Sequence, residues 1–170
     1  MSRPPIHQPE EPEQDPYARA RDDLIDHDLV GRGLSDERVL HAMATVRREG
    51  FVGEDLAGVA YADRPLPIGS GQTISQPFIV ATMAEAAELE PTDRVLEIGT
   101  GSGYGAAVLA SLAEEVFTIE RVETLAESAR ERLRQQGFER IHVRVGDGTL
   151  GWAEEAPFDA IVVTAGGPGV

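Results

Sequence analysis

From position 95 the chain reads Val95-Leu96-Glu97-Ile98-Gly99-Thr100-Gly101-Ser102-Gly103-Tyr104, three alternate glycines set directly after an apolar run and before a helix-forming one. Glycine in such a loop permits positive φ and lets backbone approach a ligand closely. A strand that feeds a helix through this turn opens a strand-helix-strand unit, and the following residues keep that alternation. Strands are expected over 94–98, 116–119, 141–145 and 158–164, with helices running to about Ala113 and from about Glu123 to Gln136, the latter ended by Gly137. The pattern predicts an α/β fold built on a doubly wound parallel sheet of strand order 3-2-1-4. A ligand then belongs beyond the carboxyl ends of the strands, where Thr164 also falls.

The first half has a different rhythm. Residues 1–16 hold five of the eleven prolines together with Glu10, Glu11, Glu13 and Asp15, and this tail is expected to be disordered. Tyr17, Ala20, Leu24, Ile25 and Leu29 recur at helical spacing before Gly31 and Gly33. A second helix is expected from Ser35 as cap, with Val39, Leu40, Met43 and Val46 as its buried stripe and Gly50 at its end. Phe51 to Ile68 reads as irregular. A third helix starts at Pro77, capped by Ser75 or Gln76. The division expected is thus a tail over 1–16, a helical, substrate-side cover over 17–75, and a ligand-binding α/β domain over 76–170.

Composition narrows the partners. Thirty acidic against fifteen basic residues give a net charge of −15, which repels phosphate backbones and anionic lipid and excludes nucleic acid and membrane surfaces as expected partners. The absence of cysteine removes disulfides and thiolate chemistry. No apolar run reaches the roughly 18 residues of a membrane span, and the first residues lack the apolar core of a signal peptide, so a cytoplasmic location is expected. No metal site is expected: His7, His27, His41 and His142 share no ligand spacing, and Asp22, Asp23, Asp26 and Asp28 read as a solvated helix face.

Glu120 closes the second strand 21 residues after Gly99, where a carboxylate can accept both hydroxyls of a ribose. Alone it suits a nicotinamide dinucleotide as well as S-adenosylmethionine. Glu97 at the loop can hold an ammonium directly or through water. Asp147, in the Gly146-Asp147-Gly148 turn after the third strand, can accept from an adenine amino group. The set describes an adenosine that carries an ammonium group.

The segment Leu66-Pro67-Ile68-Gly69-Ser70-Gly71-Gln72-Thr73-Ile74-Ser75-Gln76-Pro77, followed by LEIGTGSGY, IER, GDG and PFDAIVVTA, resembles protein-L-isoaspartate O-methyltransferases over about 24–165. GQTISQP is the specific part, since glycine loops and GDG turns occur in many S-adenosylmethionine-dependent methyltransferases. The resemblance implies the Rossmann-like methyltransferase sheet and methyl transfer from S-adenosylmethionine to the free carboxyl of L-isoaspartyl residues in damaged proteins or peptides, which starts repair through a succinimide. It also implies Ser75 as the active-site serine with Thr73 beside it, Gly99, Gly101 and Ser102 as the methionine-end loop, Glu120 as the ribose acid, and Asp147 with Gly148 as the adenine turn. The family's sheet carries further strands, so the last strands are expected to be missing and the unpaired edge at Ile161, Val162 and Val163 to invite association. An S-adenosylmethionine-binding module without catalysis and a nicotinamide-dependent oxidoreductase are the alternatives.

Overall fold

A computed structural model describes residues 15–165. The expected tail lies outside the described residues except for Asp15 and Pro16, and the expectation of missing later strands falls beyond Ala165. Asp15 belongs to the folded part, because its carboxylate pairs with Arg21 at 2.5 Å and Arg47 at 3.2 Å.

Four parallel strands form the main sheet: β3 (Arg94–Ile98), β4 (Glu115–Glu120), β5 (Ile141–Val145) and β6 (Ala160–Val163), with β1 (Leu66–Gly69) and β2 (Gln72–Ile74) paired separately as an antiparallel hairpin. The order β5-β4-β3-β6 matches the expected 3-2-1-4. The chain therefore steps outward from β3 to β5 and returns to the far side of β3, and the reversal leaves a crevice at the carboxyl ends of the central strands.

Period-2 alternation gives the sheet two unlike faces. Val95 and Val116 point into a core shared with α3 (Pro77–Ala86), α4 (Tyr104–Ala110) and α5 (Glu123–Gln135), and Leu24, Leu29, Met43 and Phe51 of the N-terminal cover join the same cluster. The segments below and above residue 75 thus share one core. Leu96, Phe117 and Ile119 face the other way and pack with Ile98, Trp152 and Phe158 in a smaller apolar cluster, with His142 stacked on Phe117. No helix covers that face among the described residues. The crossover from β5 to β6 is irregular apart from a 3₁₀ turn at Gly148–Leu150, and Ile161 and Val163 stand 63% and 54% exposed.

The cover starts with α1 (Ala18–Asp23), which continues as a π-helical turn (Leu24–Leu29) and a 3₁₀ turn (Val30–Arg32). In α2 (Glu37–Thr45) the cap is Asp36 rather than Ser35, because the Asp36 carboxylate accepts from the amides of Arg38 and Val39 at 2.8 and 3.2 Å. Gly50 does not end that helix. It lies in a 3₁₀ turn (Arg48–Phe51) after α2 has already stopped at Val46, whose backbone is extended. Neither Ser75 nor Gln76 caps α3 with its side chain; Asp63, fifteen residues earlier than Phe78, accepts the Phe78 amide at 2.8 Å.

Candidate functional site

The glycine loop leaves β3 and turns inside a tight enclosure. A side chain at Gly99, where φ is +104°, would bring its Cβ within 2.8 Å of Ala165 Cβ and 3.1 Å of the Ala165 amide, so only glycine fits. The Thr164 hydroxyl closes this corner by donating between the carbonyls of Ile98 and Gly99, at 3.0 and 2.7 Å. Gly148 is equally confined: its Cβ would lie 2.3 Å from Ile98 Cγ2. Close packing of Gly148 on Ile98 brings the turn after β5 against the end of β3, past the end of β4 between them.

Glu120 ends β4 with both carboxylate oxygens aimed at backbone. Its Oε2 accepts from the Gly101 amide at 2.8 Å and its Oε1 from the Val122 amide at 2.9 Å. Each oxygen keeps a further lone pair for a hydroxyl donor. Asp147, on the neighbouring strand end, is exposed and uses Oδ1 for the Thr149 amide at 3.0 Å and the Thr149 hydroxyl at 2.7 Å. The hydroxyl bond first, and the amide second, hold its carboxyl below the usual range. Its second oxygen has no partner among the described residues. Ser102 is buried and accepts from the Tyr104 amide at 3.3 Å, which braces the start of α4.

Glu97 is placed differently. It points into the helix-covered face, is 1% exposed, and accepts from Thr118 Oγ1 at 2.6 Å. Burial pushes its carboxyl up to about 8 against the opposing hydrogen bond from Thr118, and the Glu120 charge adds to the rise. So enclosed a carboxyl is not presented to the crevice as an open ammonium acceptor.

On the other side of the loop the hairpin β1-β2, unexpected from sequence, turns through Gly69-Ser70-Gly71. Ile68 Cδ1 lies 3.4 Å from the position a Gly101 Cβ would take, and Ser70 Oγ is 3.3 Å from Thr124 Oγ1 at the start of α5. The hairpin therefore arches over the loop. Thr73 is exposed on β2, and Ser75 follows it half-buried, its hydroxyl without a partner among the described residues.

What holds Ser75 is its carbonyl, which accepts from Arg48 Nη2 at 2.8 Å, while Arg48 Nε donates to the Ala60 carbonyl at 2.7 Å. Arg48 is 0% exposed, stands 4.8 Å from the Tyr104 ring that begins α4, and leaves Nη1 without a partner among the described residues. Arg48 and Asp63 were missed from sequence because their partners lie far along the chain. The 3₁₀ turn around Arg48 gave no periodic signal. Among the described residues no cluster of three metal-ligating side chains exists. A groove of about 520 Å³ lies by Phe138, Ile141 and Trp152 at the opposite end of β5 and includes no candidate residue.

Comparison with known proteins places this arrangement. The family model for Protein-L-isoaspartate(D-aspartate) O-methyltransferase (PCMT) matches residues 19–170. The chain is 57% identical over 150 residues to protein-L-isoaspartate O-methyltransferase 2 of Pelobacter propionicus, covering 88% of this chain and 67% of that relative. It spans about two thirds of the length of the curated relatives it matches. A solved protein-L-isoaspartate O-methyltransferase superposes with a TM-score of 0.79 at 32% identity, over 86% of this chain and 48% of its own. A Plasmodium falciparum structure described as a putative member in complex with S-adenosyl-L-homocysteine shares the fold, with a TM-score of 0.72 at 24% identity over 89% and 74%. The chain belongs to the protein-L-isoaspartate(D-aspartate) O-methyltransferase family, S-adenosylmethionine-dependent enzymes of protein repair.

Proposed function

We propose that this chain transfers a methyl group from S-adenosylmethionine to the free carboxylate of L-isoaspartyl residues in damaged proteins and peptides, at the carboxyl ends of β3, β4 and β5. The observation that carries this reading is the Glu120 carboxylate locked onto the Gly101 amide at 2.8 Å. That bond fixes the glycine loop and a ribose-accepting acid as one unit. The residues present fit the cofactor: Glu120 and the free oxygen of Asp147 sit at adjacent strand ends for the ribose and the adenine amino group. The tight packing of Gly148 on Ile98 leaves the adenine turn no side chain to obstruct it. Gly99, Gly101 and Ser102 shape the methionine end. Glu97, enclosed as it is, acts on that end from behind the loop.

Bound there, S-adenosylmethionine supplies a methyl group on a cationic sulfonium. The attacking carboxylate has an ordinary pKa of about 4 and is ionised at neutral pH, so the chain needs no strong general base. Its task is to align the reactants and exclude water. The hairpin residue Ile68 covers the loop, and the free hydroxyl of Ser75, with Thr73 beside it, is available to hydrogen-bond the incoming carboxylate. Isoaspartyl proteins or peptides are the partners, the cytoplasm is the location, and the outer edge of β6 is a place for self-association. No helix of the described residues is long and apolar enough to cross a membrane.

The test is transfer of labelled methyl from S-adenosylmethionine to an isoaspartyl peptide beside its aspartyl twin. Transfer to the isoaspartyl peptide alone is expected. Cofactor binding without transfer to either would instead favour a binding module.

A further inference from the structure

Thr118 lies on β4 directly opposite Glu97 on β3, and Thr100 reaches back from the glycine loop to meet it. The two threonine hydroxyls are 2.7 Å apart, and Thr118 Oγ1 donates to Glu97 Oε2 at 2.6 Å. All three side chains are buried. We propose that Glu97 and Thr118 are positioning residues that hold the cofactor loop through Thr100, and that the proton on the Glu97 carboxyl sets which way the Thr100 hydroxyl donates. The proposal rests on the assignment of this loop to the cofactor.

Each hydroxyl has one proton to give, so the chain of three has a direction. With Glu97 ionised, the carboxylate only accepts; Thr118 donates to Glu97 and Thr100 donates to Thr118. With a proton on Oε2, Glu97 donates to Thr118, Thr118 donates to Thr100, and the Thr100 hydroxyl no longer donates to Thr118. A single proton behind the sheet thereby changes the hydrogen bonding of the loop in front of it.

The surroundings make this exchange sharp. Around Glu97 stand Val80, Met83 and Ala84 of α3, Gly105, Val108 and Leu109 of α4, and Val162 and Thr164 by β6. None of these is charged, and the Thr164 hydroxyl is engaged with the Ile98 and Gly99 carbonyls. The charge that bears on Glu97 is Glu120. A Cβ on Gly105 would lie 2.5 Å from Glu97 Oε1, so the carboxyl occupies the space that glycine leaves open on α4. A cationic ligand in front of the loop favours the ionised carboxyl, so cofactor binding is expected to release a proton and to tighten as pH rises toward 8.

The deciding experiment is NMR of the ligand-free chain between pH 5 and 9, following the Glu97 carboxyl carbon together with the amide and methyl signals of Thr100. All are expected to share one midpoint. Glu97→Gln should abolish the Thr100 titration, which separates it from any effect of Glu120. Thr118→Val should raise the Glu97 midpoint and uncouple Thr100, and Thr118→Ser should restore both. Thr100 signals that stay flat while Glu97 titrates, or that still follow it in Thr118→Val, overturn the relay. Calorimetry with S-adenosylhomocysteine then reads the positioning role: Thr118→Val should weaken binding roughly tenfold, the effect of about one hydrogen bond, with Thr118→Ser within about twofold of the native chain. Unchanged affinity in Thr118→Val overturns that role. No binding by the native chain, with the coupled titration intact, counts against the cofactor assignment while the relay stands.

Discussion

Glu120 is fixed by the amides of Val122 and Gly101, two and nineteen residues away, in a turn and a loop contiguous with its own strand and the next. Ser75 is fixed by Arg48, twenty-seven residues earlier, and the helix that follows it is capped by Asp63, fifteen residues before the amide it accepts. The cofactor side of the site is thus built at neighbouring strand ends, where the Glu120 and Thr164 side chains hold the backbone of the glycine loop. The substrate side hangs on two charged side chains, Arg48 and Asp63, that reach it from the N-terminal cover. Damage to the first should distort one loop, whereas damage to the second should loosen the cover and the serine together.

The largest effect is expected at Arg48. Arg48→Met fills similar space but orphans the carbonyls of Ala60 and Ser75, and stability should fall by about 2 to 4 kcal/mol in chemical denaturation. Transfer to the isoaspartyl peptide should fall further than the affinity for S-adenosylhomocysteine does. Equal losses in both would erase the distinction between the two sides. Next is Gly99→Ala, which combines a φ of +104° with the Ala165 clash and should cost about 2 kcal/mol. Here the order should invert, with cofactor affinity lost more than peptide affinity.

An effect of a different kind, readable as a pH slope and not at one condition, comes from Glu97. Its folded pKa of about 8 lies above the ordinary 4.5, so the native state keeps a proton that the unfolded chain has released. Stability is full below about pH 4.5, declines by at most about 1.4 kcal/mol per pH unit, and levels off above about pH 8. Glu97→Gln should remove that decline, which denaturation at a series of pH values would check. The smallest is Asp63→Ala, which removes the remote cap of α3 and the 2.7 Å pair with Arg32 for about 1 kcal/mol. Its effect should fall on peptide turnover and leave cofactor affinity within about twofold.

The same contrast explains what the sequence disclosed. The four strands, α4, α5 and the strand order were legible because glycine, apolar runs and helical spacing are local signals. Gly99, Glu120 and Asp147 were marked by their distance from a strand end, a quantity the chain itself carries. Asp36 displaced Ser35 as cap because its carboxylate stands one residue nearer the amides that need it. The hairpin was not read from sequence, because Pro67 in β1 and the polar Gln72 and Thr73 in β2 leave no apolar alternation around Gly69-Ser70-Gly71. Glu97 was visible as an acid by the loop. That it faces the core follows from the alternation of β3, in which Glu97 shares a side with Val95.

The core that unites cover and sheet also sets an order in time. Tyr104 meets Met43 across sixty-one residues, its hydroxyl 3.6 Å from the sulfur. At about 5 to 20 residues per second, a ribosome takes on the order of 3 to 12 s to supply the second partner after the first. For that interval the newborn cover has an apolar stripe and nothing to pack it against. A chain from a family of repair enzymes therefore spends its own first seconds exposed to the chaperones and proteases that judge new ones.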